Sequence, residues 1–141
     1  MKPLIGLSAI RARVNKLAAL IDAEPDRLPS YGATRDFGFP HIEVDTQYHR
    51  VVIERGQEID RKSTSDLDEL LFWVFRGVTF GMSSEFEMHH RRVGEDSRRQ
   101  LFAKQIELMA ILSLEWSNRL RDQIRLTMRS FPFNDSIDMI S

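Results

Sequence analysis

Between Asp66 and His90 runs a segment that is apolar on more than one side, and it constrains the fold more than any other stretch of the chain. Leu67, Leu70, Leu71, Val74, Val78, Met82 and Phe86 recur at the three- and four-residue spacing of one helical face. Phe72, Trp73, Phe75 and Phe80 lie partly off that stripe. A helix with apolar groups on several sides needs neighbours on several sides, so this segment predicts a helix central to the core. Ser65 is the expected N-cap, and Asp66, Asp68 and Glu69 place negative charge at the positive end of the helix dipole. Gly77 and Gly81, four apart, predict a close backbone approach or a bend.

Shorter elements surround it. Ser8 is the expected cap of a first helix of about 15 residues, with Ile10, Val14, Leu17, Leu20 and Ile21 near one face and Pro25 and Pro29 as its stop. Glu24 to Pro40 carries three prolines and two glycines and reads as an ordered loop. His41–Asp45 alternates and Arg50–Glu54 is rich in β-branched residues, so both read as strands, joined by Thr46–His49 in an antiparallel hairpin. Gly56 breaks the second strand, and Gln57–Arg61 returns as a third. After Gly94, Asp96 caps a helix to about Leu112; Ser113 caps a last one, with Trp116, Leu120, Ile124 and Met128 four apart, and Pro132 ends it. The predicted order is α-β-β-β-α-α-α: an α+β fold with a small three-stranded antiparallel sheet and about four helices.

At 141 residues the chain fits one domain, 1–141, with 136–141 as a loose tail. It contains no cysteine, which removes disulfide scaffolds, zinc ribbons and thiol catalysis together. A formal net charge of −1 lacks the basic excess on which nucleic-acid affinity rests. No apolar run approaches the roughly 20 residues that span a bilayer, and the first residues are too short for a signal-peptide core. The expectation is a cytoplasmic protein with no membrane or nucleic-acid partner.

Groups able to do chemistry are scarce. Glu85, Glu87, His89 and His90 cluster near one helix end, but a di-metal carboxylate bundle needs two Glu-x-x-His motifs, and one is present. The expectation is ion pairing with Arg91 and Arg92, with no metal and no cofactor. His41 and His49 stand near Asp36, Glu43 and Asp45 at the hairpin, a grouping that could move protons. Arg98 and Arg99 occupy a first helical turn, the wrong end of the dipole for cations, which calls for a counter-charge; Glu85 and Glu87 are the candidates. With Ile42, Val44, Val51 and Ile53 turned inward, the opposite sheet face carries Glu43, Asp45, Glu54, Glu58 and Asp60 against Arg50. Such a concentration of carboxylates favours and accelerates docking of a basic partner.

Several blocks, taken in order, resemble the bacterial polymorphic-toxin immunity proteins of immunity protein family 63. They are Tyr31-Gly32-x-x-x-Asp36-Phe37-Gly38-x-Pro40-His41-Ile42-Glu43-Val44, then Tyr48-His49, Glu54-Arg55-Gly56-x-Glu58 and Asp68-Glu69-Leu70-Leu71-x-Trp73-x-Phe75. Asp96-x-Arg98-Arg99-Gln100-x-Phe102 and Pro132-Phe133-x-Asp135 complete the set, so the resemblance spans about 31–135. It implies a non-enzymatic antidote that binds and neutralises a cognate toxin domain, with a basic, nuclease-like toxin suiting the acidic face. Two readings from other classes stand beside it. One is a small enzyme built around His41, Glu43 and neighbouring carboxylates; the other is a self-associating module, a homodimer buried through Phe72, Phe75 and Phe80.

Overall fold

A computed structural model describes residues 3–135, so the expected tail, 136–141, lies outside the described residues. Helix α1 (Leu7–Leu20) starts just ahead of the predicted cap: Gly6 takes the N-cap position, and no side chain accepts from the first turn. The helix ends before either proline. Asp22 turns left-handed at φ 54°, and the Ala23 N–H donates back to the Ala18 carbonyl at 3.0 Å, which satisfies an end carbonyl. Ile10, Val14, Ala18 and Ile21 are buried, whereas Leu20 is exposed.

The sheet has four strands in the order β1-β2-β3-β4, and it is mixed, not three-stranded and antiparallel as expected. Strand β1 (Ser30–Tyr31) pairs parallel to β2 (Pro40–Val44). Two residues inside a proline- and glycine-rich stretch carry no periodic signal, so β1 reads as loop in the sequence. Strands β3 (Tyr48–Glu54) and β4 (Gln57–Thr64) complete an antiparallel meander.

The hairpin register also differs from expectation. The β2–β3 connection is Asp45-Thr46-Gln47, three residues rather than four, and Ile42 stands opposite Arg50, Glu43 opposite His49. Because side chains alternate with period two, a one-residue change of connection length exchanges the faces of one strand. His41, Glu43, His49 and Val51 therefore share one face; Ile42, Val44, Tyr48, Arg50 and Val52 share the other. Between β3 and β4, Arg55 and Gly56 both have positive φ, the pattern of a two-residue type I′ turn. A bulge opposite Val52/Ile53 leaves Ile59 out of the pairing, and it is 57% exposed.

The described residues divide into two compact units between Phe75 and Arg76, inside the long helix α2 (Leu67–His89). Asp66, not Ser65, caps α2: its carboxylate accepts from the Asp68 N–H at 3.0 Å. In the first unit the Ile5 N–H donates to the Tyr48 hydroxyl at 2.9 Å, tying the chain start to β3. The second unit holds the rest of α2 with α3 (Ser97–Leu112) and α4 (Leu114–Ser130). Asp96 and Ser113 cap α3 and α4 as predicted, accepting from the Arg98 and Trp116 N–H groups. The buried Gln105 amide donates to the Arg76 carbonyl at 3.1 Å, and the Ser117 hydroxyl donates to the Ile106 carbonyl at 3.2 Å. Such side-chain bonds set the rotation of α3 against its neighbours more narrowly than apolar packing does.

Candidate functional site

One face of the sheet gathers most of the polar groups singled out by the sequence. His41, fully buried, brings Nε2 to 2.7 Å from Glu43 Oε2. The other Glu43 oxygen accepts from Arg61 at 3.4 Å, and Arg61 also donates to Glu58 Oε1 at 2.8 Å. Strand alternation and cross-strand register bring these four groups together from β2 and β4, across the intervening β3. Donation to the Glu43 carboxylate requires His41 to carry its proton on Nε2, and its buried Nδ1 has no partner among the described residues. The His41 hydrogen bond holds Glu43 below the usual carboxylate range, and the Arg61 bond does the same for Glu58.

Beside this network lies a second. His49 stands between Asp45 Oδ1 at 2.7 Å on Nε2 and Ser63 Oγ at 2.6 Å on Nδ1. The His49 bond, together with one accepted from the Gln47 N–H, lowers the pKa of Asp45 to about 2. Three residues in the order carboxylate, imidazole, hydroxyl suggest nucleophilic hydrolysis, but the ring is reversed: in a Ser-His-Asp triad the acid holds Nδ1 and the serine Nε2. Ser63 is the direct cross-strand partner of His49. A cleft of about 790 Å³ in this unit opens elsewhere, against Ile5, Arg13, Tyr48, Asp66 and Leu71. The bond works as a cross-strand tie.

The five carboxylates expected on one surface do not share one. Glu43 and Glu58 lie on the His41 face, with Asp45 at its hairpin end. Asp60 pairs with Val52 on the reverse face, 3.9 Å from Arg50. Glu54 ends β3 at the Arg55-Gly56 turn, is exposed, and makes no ion pair among the described residues. The face is accessible, with the Glu43 and Asp45 side chains 37% and 67% exposed. Its carboxylates are largely hydrogen-bonded from within the chain, and the sequence does not reveal this because Arg61 and His49 reach them through register.

The arginine patch is resolved differently from expectation as well. Arg98 donates to Asp96 at 2.8 Å and to the carbonyls of Phe131 and Pro132; Arg99 donates to Asp135 at 2.8 Å. Neither takes Glu85 or Glu87 as its counter-charge. The buried Glu87 accepts from Arg91 at 3.0 and 3.1 Å, while Arg92 stands 3.6 Å from Glu95. Asp135 returns the bond by accepting from the Asp96 N–H, and the Phe133 ring lies beneath Arg99 at 4.2 Å. Segment 131–135 is thus strapped to the start of α3, and two of the blocks quoted above form one structural knot. His89 and Glu85 are 3.9 Å apart at the surface, and His90 bonds the Phe86 carbonyl. Among the described residues no group of three or more acidic or histidine side chains converges as metal ligands would. Of the aromatics considered for self-association, Phe72 and Phe75 are fully buried within the chain and Phe80 is half-exposed.

No helix among the described residues is long and apolar enough to cross a membrane. The family model described as Immunity protein 63 matches residues 45–126, from the β2–β3 turn into α4. The opening block, 31–44, and the closing block, 132–135, fall outside that match. No curated protein and no solved structure matches the chain.

Proposed function

Because this chain belongs to the Immunity protein 63 family, we propose that it binds and neutralises a cognate bacterial toxin domain and catalyses no reaction itself. The observation that carries this reading is the match over 45–126, which takes in β3, β4, α2 and α3. The site chemistry is consistent with it. His41 is bonded to Glu43 within β2 and His49 to Asp45 at the turn and Ser63 across to β4, and neither histidine lines the 790 Å³ cleft of the first unit. The antidote acts in the cytoplasm, where it covers the toxin's active site or holds the toxin in an inactive arrangement.

The contact surface is the sheet face with Glu43, Asp45 and Glu58, bordered at its edge by Glu54, which alternation puts on the side of Val52 but which stands at the turn. Asp60, opposite Val52 within the strands, faces away and drops out of that surface. A basic, nuclease-like toxin suits these carboxylates. Glu54 is the clean probe of attraction, since reversing Glu43 or Glu58 would also break their bonds with His41 and Arg61. Glu54→Lys is expected to slow association several-fold at low salt and to flatten its salt dependence, with little change in dissociation. For the function itself, a candidate toxin domain, sought in the adjoining reading frames, is expressed with and without the chain. Restored growth and a co-purifying complex are expected; continued killing in the presence of folded chain refutes the reading.

A further inference from the structure

Asp36, Phe37 and Gly38 have φ of 55°, 56° and 78°, three left-handed residues in succession. The Phe39 N–H donates to the Asp36 carbonyl at 3.1 Å, so Phe37-Gly38 are the central pair of a tight turn with both φ positive. Type I′ turns of this kind favour Asn, Asp or Gly at the first central position. A bulky aromatic residue there is a backbone outlier and is held at a cost. Ordinarily burial of the ring would offset such strain. Here the ring is 83% exposed, so the cost is not recovered in the free chain.

The turn is also locked in place. The Asp36 carboxylate accepts from the Phe37 N–H at 2.7 Å and from the Gly56 N–H at 3.0 Å, and the Gly38 N–H donates to the Ile53 carbonyl at 2.9 Å. The Asp36 N–H is taken in turn by the Thr34 hydroxyl at 2.8 Å. These bonds fasten the loop to the end of β3. Phe39 and Ile59, both substantially exposed, lie at the same end of the sheet.

We propose that Phe37 is the apolar anchor by which the chain seats itself in a socket on its toxin partner, a role that rests on the toxin-binding reading above. The locked turn presents the ring without a loss of loop freedom on binding, which is how preorganisation raises affinity. The charges around it select the kind of partner. Asp36, bonded to the Gly56 N–H, and Glu54 at the end of β3 bring two carboxylates to this end of the sheet, so the tip lacks the basic excess that a phosphate-bearing surface, lipid or nucleic acid, would need. Arg35, held over the Phe39 ring, and Arg55 at the turn balance them. A protein socket with an apolar floor and a rim offering both donors and acceptors is the complement of this tip. A central ring with a polar surround is the common arrangement of an interface hot spot.

Phe37→Asn and Phe37→Ala are the variants to test, measured against the toxin domain of the adjoining reading frame after its catalytic residue is inactivated. Asn-Gly is the preferred pair for this turn, so Phe37→Asn is expected to keep or raise the melting temperature of the free chain. Both variants are expected to weaken the complex by about 30-fold or more, chiefly through faster dissociation. Wild-type binding with both variants within twofold of it overturns the anchor and leaves toxin binding intact. Absence of wild-type binding removes the toxin reading and the anchor together. A dimer of the isolated chain that is lost in Phe37→Asn would assign the ring to self-association, and that too overturns the proposal.

Discussion

Single residues carry the electrostatic logic of this chain, and Asp96 shows it best. It is almost wholly buried, caps α3 through the Arg98 N–H, accepts from the Asn134 N–H at 2.8 Å, and holds the Arg98 guanidinium. The Arg98 bond, with help from the two backbone donors, keeps its pKa well below the usual carboxylate range. A carboxylate depressed in this way stabilises fully above its unfolded value of roughly 4, and the contribution disappears as pH falls through the folded value. Asp96→Asn is therefore expected to cost about 2 kcal/mol at pH 7, from weakened charge-assisted bonds. The gap between wild type and variant should narrow steadily below about pH 4, in urea titrations at pH 7, 5 and 3. A pH-independent gap would mean that the charge is not what matters. Asp96 as a cap is legible in the sequence because a capping residue acts on its own next turn. Asp135 as partner of Arg99 is not, because 36 residues separate the two and nearer acids compete for the assignment.

At the scale of elements, long helices were readable and short strands were not. The apolar stripe of α2 repeats often enough to fix both its type and its extent, and the caps of α3 and α4 mark their starts. Strand β1 has two residues and is defined by its partner, so no pattern within it announces it. The β2–β3 hairpin is legible but its faces are not, since a three-residue and a four-residue connection leave the same alternation in each strand and differ only in phase. The four-residue phase puts Glu54 with Glu43 and Asp45, while the separation of Glu58 from Asp60 comes from the bulge at Ile59, which no residue pattern announces. The β3–β4 turn offers a test of turn chemistry. Arg55 and Gly56 have φ of 54° and 75°, and an added Cβ at Gly56 would meet nothing within 4 Å. Gly56→Ala should therefore lose about 1 kcal/mol through backbone conformation alone. Arg55→Asn, which installs the preferred pair, should gain about 0.5–1 kcal/mol. Chemical denaturation of the two variants checks both signs. Equal stability in both would show that this turn relaxes away from the left-handed region.

For the whole molecule, the question is whether two compact units behave as the one domain that chain length predicts. Their boundary falls between Phe75 and Arg76, within the 23 residues of α2. Unfolding either unit alone would leave half of that helix without the packing that stabilises it, and a helix of 10–15 residues is marginal in water by itself. We expect α2 to transmit the loss, so that both units unfold in one transition. The sequence supplies a tryptophan for each: Trp73 in the first unit and Trp116, buried, in the second. In Trp116→Phe the fluorescence reports the first unit, and in Trp73→Phe it reports the second. Each variant shifts stability by its own amount, so the comparison is made within each, between the fluorescence midpoint and the midpoint of helical circular dichroism. Coincidence in both variants is the expected result. Should Trp73 and the helical signal part company in Trp116→Phe, the units are separable. The first of them, with its sheet face and its Phe37 turn, would then have a stability of its own against which toxin binding should be measured.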